Sequence, residues 1–216
     1  YHFIDYLGDA LDALDALGWD DCVVLGHSLG GAIASTLAAA CPQRVRRLML
    51  VEALGPLAIA SGHAARALRN GIAERRAVAD KQKRVIPDLE SAIAARLQAT
   101  PMARHSVERL VERSLGSVDG GWQWRSDPRL RLTTPARIGE AQIREWLQAI
   151  ECPTLLVVAE QHPPYFDPAL RDDRVACVRD IHRVVLPGRH HLHMDSPSAV
   201  ALEMRAFLTR VSPIAG

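Results

Sequence analysis

A serine flanked by glycines stands where an apolar run gives way to a helical pattern. Residues 23–31 read V-V-L-G-H-S-L-G-G, so Gly26 and Gly30 lie two positions before and after Ser28. A serine hydroxyl becomes a useful nucleophile when a base, most often histidine, removes its proton. Glycines leave room for a sharp strand-to-helix turn, and the N-terminus of the following helix favours developing negative charge. The spacing therefore predicts nucleophilic catalysis at Ser28.

Three histidines lie close together near the other end of the chain, where they could supply a base or bind a metal. Residues 188–197 read G-R-H-H-L-H-M-D-S-P. His191, His193 and Asp195 match part of the H-x-H-x-D run of metallo-β-lactamase-fold hydrolases, although Ser196 stands where that family has a further histidine. Metal sites need several ligands at recognisable spacing, and no other cluster along the sequence offers them. We therefore predict no metal site and no cofactor.

The segments around Ser28 predict a parallel sheet. An amphipathic helix over 1–18 precedes the apolar strand 22–25, and an Ala- and Leu-rich helix over 29–40 follows the serine. The apolar run within 44–51 predicts the next strand. Helices and strands that alternate in this way build a right-handed parallel sheet. The pattern resumes near the end of the chain, with strands predicted at 152–159 and 182–186 and helices at 167–180 and 196–208.

Residues 54–150 carry a different pattern, in which Ala- and Arg-rich segments with solvated basic faces predominate. The helices predicted there span 63–84, 88–100 and 103–115. An irregular aromatic turn over 120–130 interrupts them. Its Trp122 and Trp124 fit a substrate pocket and packing against the rest of the protein equally well.

The run from Gly26 to Gly31 resembles the nucleophile elbow of the α/β-hydrolase superfamily. The resemblance implies an α/β protein with a partial α/β-hydrolase fold, in which helices flank a parallel sheet and a helical cap is inserted. On this basis 1–53 and 151–216 form the core and 54–150 the cap.

The same resemblance implies which histidine is the base. The family pattern after the last strand is similar to G-x-H-x-x-H with a proline four positions further on. Placed on that pattern, His190 is the catalytic base, His193 the second histidine and Pro197 the proline that opens the last helix. His191, one residue away, remains the alternative base.

The third member of a triad is a carboxylate that orients the imidazole. In most of the family it follows the penultimate strand, but His162 stands at that place here. The second family location is the end of the strand after the nucleophile strand, where this sequence has Glu52. An ionisable residue at the end of an apolar strand is unexpected for packing. The alternative is that Glu52 is simply exposed to solvent at the end of the strand. We therefore predict Glu52 as the acid, with Glu160 and Asp167 as alternatives.

These residues predict a serine hydrolase that acts on a small-molecule ester through an acyl-enzyme intermediate. A serine nucleophile argues against relatives such as haloalkane dehalogenases and epoxide hydrolases, which use aspartate. Thioesterases and carbon–carbon bond hydrolases share the constellation and stay open. The alternative is a non-catalytic α/β-hydrolase-fold protein with a binding or interaction role.

The resemblance also predicts that the chain is an incomplete hydrolase. About four strands precede the opening helix in the family, and one of them leads into a loop that donates the second oxyanion-hole N–H. The N–H of Leu29 is the donor that this sequence assigns to that hole. Without the preceding strands one edge of strand 22–25 is open. We therefore expect weak activity and a tendency to form homodimers or aggregates through this edge.

Composition narrows the possible partners and the compartment. The 216 residues carry a formal net charge of +1 at pH 7, which gives no indication of a nucleic-acid partner. The sequence predicts no signal peptide, membrane span or membrane partner, and we expect a cytoplasmic protein. The four cysteines are scattered, and Cys22 and Cys152 begin apolar runs, so both are predicted to be buried thiols.

Overall fold

Helices and strands alternate at both ends of the chain, as a parallel sheet requires. The computed structural model describes residues 1–78, 83–132 and 134–210. None of the helices within these ranges is long and apolar enough to cross a membrane. The helices are α1 (Asp5–Ala16), α2 (Leu29–Ala40), α3 (Ala64–Val78), α4 (Leu89–Ala99), α5 (Arg104–Ser114), α6 (Glu140–Gln148), α7 (Pro168–Val175), α8 (Leu192–Asp195) and α9 (Pro197–Arg210). The strands are β1 (Cys22–His27), β2 (Val45–Val51), β3 (Leu115–Val118), β4 (Gly121–Trp124), β5 (Thr154–Ala159) and β6 (Ile181–Leu186).

Four parallel strands form the main sheet, in the order β1-β2-β5-β6. In register, His27 is level with Val51, and Val51 is level with Val157, so the carboxyl ends of β1, β2 and β5 lie along the same edge. Every residue of β5 is buried, and apolar clusters flank the sheet. The predicted α/β class with a helix-flanked parallel sheet is confirmed. Side chains that follow these strands meet at one edge, where α/β proteins bind ligands.

The chain divides into two compact units. One consists of Tyr1 and residues 63–136, and the other of residues 2–62 and 137–216. The first unit contains α3, α4, α5 and the hairpin of β3 and β4. It is shorter at both ends than the predicted insertion over 54–150, because Leu54, Ile143 and Leu147 belong to the apolar core of the second unit.

Of the helices predicted for the first unit, the last two end near their predicted positions and the first does not. The predicted helix over 63–84 is observed as α3, which ends at Val78. Residues 79–82 lie outside the described residues, and residues 83 and 84 are not helical, so the predicted end is wrong. The other two predicted helices correspond to α4 and α5 within a residue or two at each end.

The aromatic segment after residue 118 is not the irregular turn that the sequence predicted. Asp119 and Gly120 connect β3 to β4. Gly120 and Gly121 take φ values of 79° and 146°, which glycine adopts at little cost. Trp122 and Trp124 therefore lie on a strand, where they pack against the apolar cluster of the first unit. Large and polar residues alternate in W-Q-W with the period of a strand. The two glycines before them indicate a turn, and this signal led to the wrong prediction.

The buried cysteines are as predicted. Cys22 and Cys152 are buried free thiols, and burial raises the pKa of Cys152 to about 11. Such thiols are poor nucleophiles because the reactive thiolate is scarce at neutral pH.

Candidate active site

Ser28 occupies a sharp turn between β1 and α2. Its φ of 52° and ψ of −118° are rare for a residue with a side chain. The backbone holds this conformation at both sides, because the N–H of Ser28 donates to the Val51 carbonyl at 3.0 Å and its carbonyl accepts from Ala32 at 3.0 Å. The turn places the hydroxyl beyond the carboxyl end of β1.

The glycines that this turn requires are Gly26 and Gly31. A Cβ on Gly26 would lie 2.6 Å from the carbonyl carbon of Gly30, and one on Gly31 would lie 3.0 Å from the Ala53 side chain. Gly30 is exposed, and a Cβ built there meets nothing within 4 Å. The expectation that Gly26 and Gly30 jointly provide the space is thus right for Gly26 and wrong for Gly30. The close approach is between Gly26, near the end of β1, and the backbone of Gly30 and Gly31.

Glu52 follows β2 and is buried, with 2% of its surface exposed. Its φ is 58°, and its N–H donates to the Val157 carbonyl at 2.9 Å. Its Oε1 accepts a hydrogen bond from the Ala159 N–H at 2.6 Å, while Oε2 lies 3.3 Å from Nδ1 of His190. Among the described residues, Ser28 and Glu52 are the non-glycine residues with positive φ. Both are predicted site residues.

His190 connects these two side chains. Its Nε2 lies 2.9 Å from Oγ of Ser28, and its Nδ1 faces the Glu52 carboxylate at 3.3 Å. A carboxylate only accepts, so Nδ1 carries the proton and Nε2 is left with the lone pair that accepts the serine O–H. The arrangement is that of a nucleophile, a base and an orienting acid.

The alternative residues lie elsewhere. The ring of His191 is centred 5.0 Å from that of His190 and 5.2 Å from that of His27. Glu160 is exposed. Asp167 caps α7, since its carboxylate accepts from the Leu170 N–H at 3.0 Å. The structure therefore brings together Ser28, Glu52 and His190.

Leu29 is the first residue of α2 and directly follows the proposed nucleophile. The first N–H groups of a helix have no acceptor within the helix and are the positive end of its dipole. The N–H of Leu29 is therefore well suited to stabilise an oxyanion that develops beside Ser28.

His27 contacts His190, the predicted base, and is a residue that the sequence did not identify. Its Nε2 donates to the backbone carbonyl of His190 at 2.8 Å, and its ring is centred 3.9 Å from that of His193. Burial lowers the pKa of His27 to about 3. Burial, and to a smaller extent the charge of His190, also lower the pKa of His193. The position of His27 inside the G-H-S-L-G motif was the available signal, but sequence spacing does not tell which way the ring points.

Tyr165 is a second residue that the sequence did not identify. Its hydroxyl lies 3.5 Å from Nε2 of His190, and half of its surface is exposed. Burial, and then the charge of Glu52, raise the pKa of Tyr165. The residue belongs to the segment after β5, at the sheet edge where site residues are expected. An aromatic hydroxyl here can contact a substrate bound at Ser28.

Comparisons with known proteins relate the whole chain to one family. The sequence profile of the family described as alpha/beta hydrolase fold matches residues 1–197. A serine hydrolase-like protein of Dictyostelium discoideum is 27% identical over 220 residues, covering 96% of this chain and 61% of that protein. The esterase YbfF of Escherichia coli (strain K12) is 26% identical over 206 residues, covering 93% of this chain and 72% of that protein. This chain thus spans about three fifths of the length of the Dictyostelium relative.

One solved structure has a higher sequence identity to this chain than the two relatives above. The crystal structure of a hypothetical protein from Pseudomonas aeruginosa PAO1 is 36% identical to this chain, with a TM-score of 0.89. The match covers 97% of this chain and 75% of that chain.

Proposed function

The chain belongs to the α/β-hydrolase fold family, and from that premise we propose that it is a serine hydrolase that cleaves a small-molecule ester. Its relatives include a serine hydrolase-like protein and an esterase. The reaction proceeds through an acyl-enzyme on Ser28, with His190 as base, Glu52 as orienting acid and Leu29 as an oxyanion donor.

The observation that carries this proposal is the continuous line of contacts from Ser28 through His190 to Glu52. The two distances, 2.9 Å and 3.3 Å, allow a proton to leave the serine hydroxyl while the carboxylate stabilises the imidazolium. The carboxylate is buried, so water does not screen this interaction. Burying a carboxylate beside an imidazole costs desolvation free energy that apolar packing would not. The position of Glu52 therefore favours a catalytic role over a packing role.

In the acylation step, Oγ of Ser28 attacks the acyl carbon as Nε2 of His190 takes the hydroxyl proton. The carbonyl oxygen becomes an oxyanion that the Leu29 N–H stabilises. The tetrahedral intermediate then collapses. The bond to the leaving alcohol breaks, and the alcohol oxygen takes the proton from His190.

In the deacylation step, water enters the place of the alcohol and gives a proton to Nε2 of His190. The resulting hydroxide attacks the acyl carbon, the bond to Oγ breaks, and the proton returns to Ser28. One ester and one water yield one acid and one alcohol, and the enzyme is regenerated.

Labelling with a fluorophosphonate probe tests the proposal directly. Such probes phosphonylate a serine only when a base activates it, so we expect one label per wild-type chain, located on Ser28. The Ser28→Ala variant should take up no label. Ser198→Ala, which removes an exposed serine of α9, is the matched control and should be labelled like wild type.

The substrate class requires a second measurement. Hydrolysis of p-nitrophenyl acetate and butyrate is compared with hydrolysis of the matching thioesters, and we expect faster turnover of the esters. A folded wild-type chain that takes up no label would instead favour a non-catalytic binding role. Equal labelling of Ser28→Ala would show that the reactive serine is another one.

A further inference from the structure

Three histidines that the proposed mechanism leaves without a chemical role gather behind His190. One ring nitrogen from each of His27, His191 and His193 lies within 4.8 Å of one from each of the other two. All three residues are half-buried. The sequence predicts no metal site, because ligands that are near one another along the chain are too few. His27 comes from the end of β1, and only the fold brings it to the other two.

The hydrogen bond of His27 selects a tautomer suited to metal binding. The His190 carbonyl can only accept, so Nε2 of His27 carries the proton that it donates at 2.8 Å. The lone pair is therefore on Nδ1. Imidazoles that bind metals are commonly oriented in this way, with the second nitrogen donating to a backbone carbonyl or carboxylate.

His193 contributes a second indication. Its Nδ1 is buried and has no hydrogen-bond partner among the described residues. Buried polar atoms are nearly always paired, so each exception needs an explanation. The ring stands 3.9 Å, centre to centre, from that of His27. A bound cation would satisfy a nitrogen that the protein leaves unpaired.

We propose that His27, His191 and His193 form a binding site for a divalent cation that prefers imidazole ligands, with Zn²⁺ as the first candidate. Three histidines with a water molecule as fourth ligand make a tetrahedral zinc site. Co²⁺, Ni²⁺ and Cu²⁺ share the preference for nitrogen, whereas Mg²⁺ and Ca²⁺ prefer oxygen ligands and should not bind.

The ligand positions need only a small adjustment. Zinc–nitrogen bonds of about 2.0–2.1 Å place tetrahedral ligand atoms about 3.3 Å apart. Starting from separations of at most 4.8 Å, each nitrogen therefore moves inward by about 1 Å or less. Rotation of the imidazole side chains supplies a movement of this size without a change of fold.

Metal binding can be measured on the whole chain without any reference to hydrolysis. Zn²⁺ is titrated into chelator-treated protein in the presence of a chromophoric chelator, and we expect one equivalent to be withdrawn from the dye. Co²⁺ should give the intense visible absorption of a tetrahedral site. Wild-type protein that binds less than one equivalent of Zn²⁺, or that gives no tetrahedral Co²⁺ spectrum, overturns the proposal whatever the variants do.

The variants locate the site. Loss of a residue that only supports a metal ligand weakens metal binding by about 10- to 100-fold. His191→Gln and His193→Gln each remove a proposed ligand, so each should weaken Zn²⁺ binding by more than that. His182→Gln is the matched control, since it removes an exposed imidazole of β6 in the same unit, and it should bind like wild type. If all three variants bind alike, the cation lies elsewhere and the proposed site is wrong.

Discussion

Ser28 and Glu52 both hold backbone conformations that are unfavourable for residues with a side chain. Each such conformation costs about 1–3 kcal/mol and persists only where the surroundings enforce it. Here the enforcing contacts are hydrogen bonds to neighbouring strands, from Ser28 to Val51 and from Glu52 to Val157. The strain coincides with the two residues that flank His190. We infer that the fold gives up stability to hold the proposed nucleophile and the proposed acid beside His190.

The role of the acid gives the first prediction. We expect Glu52→Gln to lower kcat by about 10⁴-fold, the order of loss when a triad acid is neutralised. The amide oxygen would accept from Ala159, leaving the amide NH₂ to face Nδ1 of His190. Nδ1 then has to accept, so Nε2 carries the proton and cannot take the one from Ser28.

The controls are Glu160→Gln and Asp167→Asn, measured with the same ester. Both residues are exposed, and we expect kcat values close to wild type. Circular dichroism checks that Glu52→Gln is folded. A larger loss in either control than in Glu52→Gln would mean that the acid has been assigned to the wrong strand.

The choice between adjacent histidines gives the second prediction. His190→Ala removes the ring whose Nε2 lies 2.9 Å from Oγ of Ser28, so fluorophosphonate labelling should slow by several orders of magnitude. His191→Ala removes a ring centred 5.0 Å from that of His190 and should leave the labelling rate within about tenfold of wild type. Both rates are measured in metal-free buffer. The opposite order would identify His191 as the base.

At the scale of single elements, the turn from β1 into α2 depends on close backbone contact. We expect Gly26→Ala to lower the free energy of unfolding by about 1–3 kcal/mol or more, because the new Cβ is forced into the Gly30 backbone. In a chain of this size that corresponds to a fall in Tm of roughly 2–4 °C per kcal/mol.

The matched variant is Gly30→Ala, at a helical position with open space around it. Alanine is the better helix former, so stability should be unchanged or higher by up to about 1 kcal/mol. Thermal unfolding of the two variants beside wild type is the measurement. Equal destabilisation by both would mean that the close approach is not where the structure has it.

The same elements show what the sequence could and could not provide. The apolar runs of β1, β2 and β5 and the Ala-rich α2 have unambiguous periods, and these elements lie within one or two residues of their predicted bounds. Ser28 follows β1, Glu52 follows β2 and His190 follows β6, so parallel pairing alone predicts that they share an edge. The contacts of His27 and Tyr165 depend on side-chain direction and loop path, which no periodicity encodes.

At the scale of the whole molecule, the two edge strands of the main sheet differ in their exposed side chains. Among the described residues β1 pairs with β2 alone, and Val23 and Leu25 are 38% and 54% exposed on it. The opposite edge strand, β6, carries exposed His182 and Arg183, and Arg183 forms an ion pair with Asp172. Charged side chains are a usual protection of a sheet edge, and β1 has none.

We therefore expect residues 1–216 to associate through β1 in a concentration-dependent way, measurable by sedimentation velocity. Unpaired N–H and C=O groups on this strand can pair with a second copy while the exposed Leu25 gains apolar contact. Leu25→Lys should reduce the associated fraction, because two such strands would bring like charges together. Val185→Lys places the same charge on β6 at a valine that is 50% exposed, and it should associate like wild type. A wild-type chain that stays monomeric at all concentrations would contradict association through β1. So would an equal reduction of the associated fraction by Leu25→Lys and Val185→Lys.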